Sequence, residues 1–199
     1  MKRKLFLITI LSLTYFISFA QEDNIDDAYL NYKVSRNVKG NTKSIEKLSA
    51  LLKRSSELSV KQVANVEYHL GRMYEEIGTA DSAIVHYENS LKGEPNYSVL
   101  HRALGFIYLA KTKPAVAKMN EASKTKDAAA NAKAFGEYKA LVKKAIPYLE
   151  KYQACEPDDE TLTTINNLYK SIKDSESLKT LDARLKANAD KCVSLLADE

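Results

Sequence analysis

The fold predicted for this chain is decided by the stretch from His69 to Pro95, HLGRMYEEIGTADSAIVHYENSLKGEP. In and just before its first half, apolar residues recur along one face of an α-helix, at Val66, Leu70, Met73, Tyr74 and Ile77. The second half repeats the pattern at Ala83, Ile84, Tyr87, Ser90 and Leu91. Gly78 is placed to end the first helix, and Gly93 with Pro95 to end the second. The stretch therefore predicts two helices joined by a tight turn.

The markers in this unit resemble those of the tetratricopeptide repeat. Leu70-Gly71-x-x-Tyr74, Ala83-x-x-x-Tyr87 and Pro95 lie within residues 64–97, at the spacing of that family's L-G-x-x-Y, A-x-x-x-F and P signature. Glu67 stands where the family usually has a bulky residue, so looser packing is expected there. The resemblance implies an all-α, right-handed superhelix of antiparallel helix hairpins, with a concave surface lined mainly by first helices.

A second repeat is predicted over residues 98–158, with its two halves far apart. Leu104-Gly105-x-x-Tyr108 repeats the first-helix signature, and Ala145-x-x-x-Leu149 with Pro157 repeats the second. An insertion at about 111–142 separates the two halves. Small residues where paired helices cross would let large side chains from the partner helix fill the space. The second repeat is therefore expected to have elongated helices that cross at Gly105.

The insertion itself has the composition of an exposed helix pair. An apolar stripe from Phe135 to Tyr152 extends the second helix toward its N-terminus, and its partner from Val99 is expected to lengthen as well. The tip, at 112–134, is rich in Ala and Lys, which predicts an exposed helical hairpin or a mobile arm. Pro147 within this helix predicts a bend.

Shorter helix pairs are predicted at both ends of the array. An opening pair over 22–60 comprises helices at 26–38 and 44–58, split by Gly40-Asn41. A degenerate closing pair over 159–199 comprises helices at 159–173 and 175–196. Terminal units of repeat arrays are usually atypical, because one of their faces has no neighbour to cover. Residues 21–199 are thus expected to form a single domain.

Residues 1–20 have the pattern of a cleavable bacterial signal peptide. Lys2-Arg3-Lys4 precedes an apolar run from Leu5 to Phe19, and Ser18 and Ala20 suit cleavage after Ala20. The apolar run is shorter than the roughly 20 residues that span a bilayer as a helix. The sequence therefore predicts a periplasmic or secreted protein without membrane insertion after cleavage.

Charge and cysteine content limit the classes of partner. Residues 1–20 contain three of the 30 basic residues and none of the 26 acidic ones, so the remaining chain is close to neutral. This balance gives no support for nucleic-acid binding, which needs a concentrated basic face. Cys155 and Cys192 would meet an oxidising compartment, but sequence alone leaves open whether they pair or remain separate thiols.

No motif indicates catalysis, a metal site or a cofactor. His69, His86 and His101 have no ligand spacing and are interpreted as surface or satisfied histidines. Glu75-Glu76 is interpreted as an exposed helix face, and Asp158-Asp159-Glu160 as a favourable helix N-terminus. The chain is therefore predicted not to be an enzyme and to need no cofactor.

The resemblance implies a scaffold that binds a protein or an extended peptide through its concave face. The first-helix positions off the core stripe are the candidate binding residues: Tyr68, Arg72, Glu75, Arg102, Phe106, Asn167 and Lys170. Arg72 and Arg102 are expected to bind a peptide carboxylate. The alternatives are a structural component of an envelope complex that self-associates through the 112–134 arm, forming a homo-oligomer, and a carbohydrate-binding accessory protein.

Overall fold

The computed structural model describes residues 24–36 and 42–196. The predicted signal peptide and the Gly40-Asn41 break lie outside these ranges. The helices are α1 (Ile25–Ser35), α2 (Thr42–Lys53), α3 (Val60–Glu76), α4 (Ala80–Gly93), α5 (Ser98–Ala110), α6 (Lys113–Lys124), α7 (Ala128–Cys155), α8 (Asp159–Ser171), α9 (Ser175–Lys179) and α10 (Leu181–Asn188). The described residues contain no β-strand, and the predicted all-α class is confirmed.

Helices α3 and α4 form a tightly packed hairpin. Ser59 and Gln62 form a reciprocal capping box that fixes where α3 begins. The hairpin crosses at Gly71, where a Cβ would come within 2.4 Å of the Tyr87 ring. Further along, Ser90 Oγ donates to the carbonyl of Ala64 across 2.7 Å. The Gly71 position therefore admits the Tyr87 side chain because it has none of its own.

The second hairpin has the same crossing but is much longer. A Cβ on Gly105 would come within 2.6 Å of Leu149, so α5 packs on the C-terminal half of α7. Lys111 and Thr112 keep right-handed helical dihedrals, so α6 follows α5 with only a local break before Pro114. Helix α6 then packs on the N-terminal half of α7. The expected elongation is thus present in α7, whereas the expected elongation of its partner is wrong, because α5 ends at Ala110 and α6 is a separate helix. The insertion forms a helical hairpin.

Three turns between helices share one hydrogen-bonded geometry. After α3, the N–H of Gly78 donates to Glu75 and that of Thr79 to Tyr74, which is a Schellman motif. The same pair of bonds follows α6 and α8. Gly78 has φ +80°, whereas the equivalent positions are Lys126 at 55° and Lys173 at 58°. The predicted turn at Gly78 is therefore confirmed. The turns at Lys126 and Lys173 have the same geometry and were not predicted.

Several boundaries differ from those predicted. Helix α2 ends at Lys53 instead of residue 58, and a 3₁₀ helix, Ser55–Glu57, follows. Consecutive serines are weak helix formers, and the Arg54 guanidinium bonds the Glu57 carboxylate at 2.7 and 2.9 Å. Ile77, placed on the core stripe, is 47% exposed because it follows the last helical residue. Helix α7 continues through Pro147, which is exposed.

The predicted closing helix at 175–196 is wrong. The segment breaks at Thr180 and ends its helical part at Asn188, because Lys151 Nζ bonds the carbonyls of Asn188 and Lys191. A disulfide joins Cys155 to Cys192, which answers the pairing left open by the sequence. Val193 then pairs with the α4–α5 loop through two backbone hydrogen bonds of 2.9 Å. The tail is thereby fastened to the base of the long hairpin.

Candidate functional site

Two of the predicted binding residues, Glu75 and Tyr68, lie against Tyr87. Glu75 Oε2 accepts a hydrogen bond from the Tyr87 hydroxyl across 2.6 Å, and the Tyr68 ring stacks 6.3 Å from the Tyr87 ring. The Tyr87 pKa is raised because the phenol is buried and because the Glu75 carboxylate accepts a hydrogen bond from the neutral hydroxyl. Glu75 is therefore held in place by a core residue, with its side chain at the surface.

Tyr68 belongs in part to the core. Its ring lies 4.7 Å from His69 and 5.4 Å from Tyr97, and its side chain is half-buried. Burial raises the Tyr97 pKa, and the Tyr68 hydroxyl adds to the rise. Tyr68 was expected to lie off the core stripe, but one side of its ring packs against core residues and only the other side is exposed.

Arg72 is engaged within the chain. Its Nη2 donates to the carbonyl of Arg36 at the end of α1 across 2.6 Å, and its Nη1 lies 3.7 Å from Glu76. A guanidinium that caps a helix C-terminus and pairs with a carboxylate has few donors left for a ligand. Arg72 therefore joins the first helix pair to α3, and its predicted role in binding a carboxylate is not supported by this geometry.

Arg102 is placed differently. It is exposed, and its guanidinium carbon lies 5.4 Å from the Phe106 ring centroid and 5.9 Å from that of Tyr152. Within residues 24–36 and 42–196, its guanidinium forms no hydrogen bond or ion pair. The aromatic faces hold the cation by cation–π attraction and leave its donors toward solvent. The structure thus brings Arg102 and Phe106 together, and it adds Tyr152, which the sequence did not single out.

Asp158 is an acidic residue whose pKa is affected by the positive charge of Arg102. Its carboxylate caps α8 by accepting from the Thr161 N–H across 2.8 Å. The pKa of Asp158 is lowered, chiefly by hydrogen bonding to Thr161 and to a smaller extent by the Arg102 charge. The acidic run at 158–160 is therefore a helix N-terminus, as interpreted from the sequence. Asn167 and Lys170 are exposed on α8, without a contact to the other candidate residues in the described structure.

Two buried polar clusters were missed by sequence reasoning. Glu67 is 8% exposed and bonds His86 Nδ1 at 2.6 Å and Asn89 at 3.3 Å, so polar partners occupy the place of the expected bulky residue. The signal for this cluster in the sequence was Glu67 itself, a charged residue at a position where the family usually has a bulky one. At the other end, Glu150 and Arg184 form a bidentate pair that joins α7 to α10, with contacts of 2.6 and 3.0 Å. No sequence spacing indicates that pair.

The described residues hold no cluster of potential metal ligands, and His101 is bonded to the backbone. His101 Nε2–H donates to the Pro95 carbonyl, and the pKa of His101 is lowered by burial. Among the described residues, no group of three or more His, Cys, Asp or Glu side chains could hold a metal ion. The helices of the described ranges are too short or too polar to cross a bilayer.

Comparison with protein-family models, with curated protein sequences and with solved structures gives no match. The candidate site therefore rests on its own geometry.

Proposed function

We propose that this chain is an exported, non-catalytic scaffold of the tetratricopeptide type that binds an extended peptide of a partner protein. The support is the arrangement of consecutive helix hairpins with glycine at the crossings of the two central ones. Each hairpin is packed against the next along the chain, through contacts such as Arg72 with Arg36 and Tyr138 with Ser171. Such stacks use the side chains between the packing markers for recognition.

The observation that carries the proposal is the state of the Arg102 guanidinium. Of the two arginines predicted to bind a carboxylate, Arg72 is used inside the fold, whereas Arg102 is fixed over Phe106 with its donors unengaged. A planar guanidinium in a fixed orientation loses little entropy when it binds a carboxylate through two parallel hydrogen bonds. Arg102 with Phe106 and Tyr152 is therefore the proposed anchor for an acidic group of the peptide.

The anchor also has an apolar component. Phe106 and Tyr152 are each partly buried, so they offer ring surface beside the cation without needing a partner to complete the core. Aromatic and arginine side chains supply a large share of the binding free energy at protein interfaces. We expect the bound peptide to place a carboxylate on Arg102 and an apolar side chain on the adjacent rings.

Affinity capture from an envelope extract tests the proposal. The mature chain, Arg102→Gln, Arg102→Lys and Arg72→Gln are compared as baits at equal amounts of folded protein. Loss of the recovered partners with Arg102→Gln, and weaker loss with Arg102→Lys, is expected because lysine keeps the charge without the planar fork. Arg72→Gln is the matched control and should retain the partners. Equal recovery by all four baits would remove Arg102 from the site.

A further inference from the structure

A groove of about 630 Å³ lies between the tip of the long hairpin and the turn after α8. Its lining includes Phe135 of α7 and the two lysines Lys126 and Lys173. Phe135 is partly buried and stacks with Tyr138 at 6.3 Å, and the Tyr138 hydroxyl is hydrogen-bonded to Ser171 across 2.7 Å. This last bond joins α7 to α8. Because α7 and α8 are held together, the position of the Phe135 ring in the groove lining is fixed.

The two lysines stand at positions that favour glycine. Lys126 and Lys173 have φ of 55° and 58°, in the left-handed region, and each closes a Schellman turn. The third turn of this kind has Gly78 at the same place, with nothing within 4 Å of a Cβ built there. A side chain in this conformation is destabilising relative to glycine. The strained side chains occur at the two turns that border the groove.

Charge around the groove is strongly positive. Residues 111–144 contain nine lysines and three acidic residues, whereas the rest of the chain after residue 20 contains 18 basic and 23 acidic residues. The three acids of this segment are all engaged: Glu137 with Lys118 at 2.7 Å, Glu121 with Lys124 at 3.6 Å, and Asp127 as the cap of α7. An unneutralised cluster of cations attracts and orients anionic groups.

Further cations lie near the Lys173 side of the groove. Asp174, the residue after Lys173, caps α9, and its pKa is lowered first by the hydrogen bonds from Ser177 and then by the charges of Lys143 and Lys139. These lysines of α7 therefore face the same turn as Lys173. Only Asp127 among the residues that line the groove is acidic.

We propose that this groove is a second docking site, which takes an acidic segment of a partner protein with carboxylates on Lys126 and Lys173 and an apolar side chain on Phe135. It goes beyond the Arg102 surface, from which it is distinct: Phe135 and Tyr152 are 17 residues apart on α7, or about 25 Å along the helix. Lysine at the two turns then lowers the free energy of unfolding relative to glycine, and it places two cations at the groove.

The double variant Lys126→Gly/Lys173→Gly tests the proposal, because it relieves both left-handed side chains and removes both cations. The probe is a labelled peptide of alternating glutamate and leucine. Its affinity for the mature chain is expected to fall by about fivefold or more in the double variant. The melting temperature should rise by about 2–4 °C. A structural role alone would not couple a more stable fold to weaker binding.

The matched control is Lys113→Ala/Lys133→Ala, which removes the same charge from the same hairpin outside the groove. It should leave the affinity within about twofold of the original, which supports a localised site. Equal weakening by both double variants would overturn the proposal, as would no binding by the mature chain. An oligoglutamate that binds as tightly as the leucine-containing peptide would also overturn it, since Phe135 would then contribute nothing. Self-association that the peptide displaces would assign the groove to a second copy instead.

Discussion

The two central hairpins cross in the same way but differ in what happens beyond the crossing. In the short hairpin, Gly71 admits Tyr87, and in the long one Gly105 admits Leu149. The base of the long hairpin buries large side chains such as Leu100, Leu104 and Val142 completely. The only apolar residues buried in its tip, 112–134, are Ala115, Ala122 and Ala134. The same crossing therefore supports one fully packed hairpin and one whose tip buries no large apolar side chain.

This difference separates the part of the long hairpin that stabilises the fold from the part that contributes little to stability. Burial of large apolar side chains stabilises by roughly 1.5–3 kcal/mol each, and alanine contributes much less. The tip therefore adds little to the free energy of unfolding. Its surface can carry many charged residues because packing places little constraint on its composition. The base, by contrast, contains residues whose replacement should unfold the protein.

Gly71→Leu and Gly105→Leu should be the most damaging changes. Even a Cβ at these positions would lie 2.4 and 2.6 Å from the facing side chain, so each hairpin must open to accept leucine. A loss of more than about 3 kcal/mol is expected in urea unfolding. Gly136→Ala, on α7 next to the tip and with nothing within 4 Å of the new Cβ, is the control. It should stabilise by about 0.5–1 kcal/mol, and a loss there as large as at the crossings would refute the division.

Removing the disulfide should weaken the base. The Cys155–Cys192 bond closes a segment with a sequence separation of 37 and fixes the tail beside the α4–α5 loop. Cys155→Ala/Cys192→Ala should lower the free energy of unfolding by about 2–4 kcal/mol. Reductant should reproduce the loss in the original chain and have no effect on the double variant. Unchanged stability in the double variant would show that the tail contributes nothing to the base.

Two ion pairs compare base and tip directly. Arg184→Gln leaves the Glu150 carboxylate, 6% exposed, without its bidentate partner, and should destabilise by about 2 kcal/mol. Lys118→Gln breaks an exposed pair with Glu137 in the tip and should cost no more than about 0.5 kcal/mol. Urea midpoints measured in parallel give the comparison. Similar losses from the two changes would contradict the assignment of Glu150 to the folded core.

His101 should make the base sensitive to acid. Its Nε2 is bonded to Pro95, its Nδ1 has no partner among the described residues, and burial lowers its pKa below the usual 6.5. The stability it contributes is present above pH 6.5 and is lost as the pH falls through the lowered pKa. Melting temperatures at pH 7.5 and pH 5 should therefore differ less in His101→Gln than in the original chain. An equal difference in both would exclude His101 as the cause.

The sequence was sufficient for the central hairpins because their markers recur at the spacing of a known repeat. Gly78 marks a local turn, whereas Gly71 and Gly105 were interpretable as crossings only because that spacing pairs them with Tyr87 and Leu149. It was insufficient for Arg72, because the carbonyl it binds lies 36 residues away. The closing segment was misjudged for the same reason, since its course depends on Cys155 and Lys151 in α7. Polar contacts between residues that are far apart in the sequence produce no periodic pattern from which they could be predicted.

Hydrogen exchange of the mature chain, alone and bound to its captured partner, tests the central claim most directly. The claim is that recognition lies on the first helix of the long hairpin, between its packing markers, at Arg102 and Phe106. New protection is predicted along Ser98–Ala110 on binding, with none along Ala80–Gly93. Protection confined to Ala80–Gly93, with Ser98–Ala110 unchanged, would contradict the account.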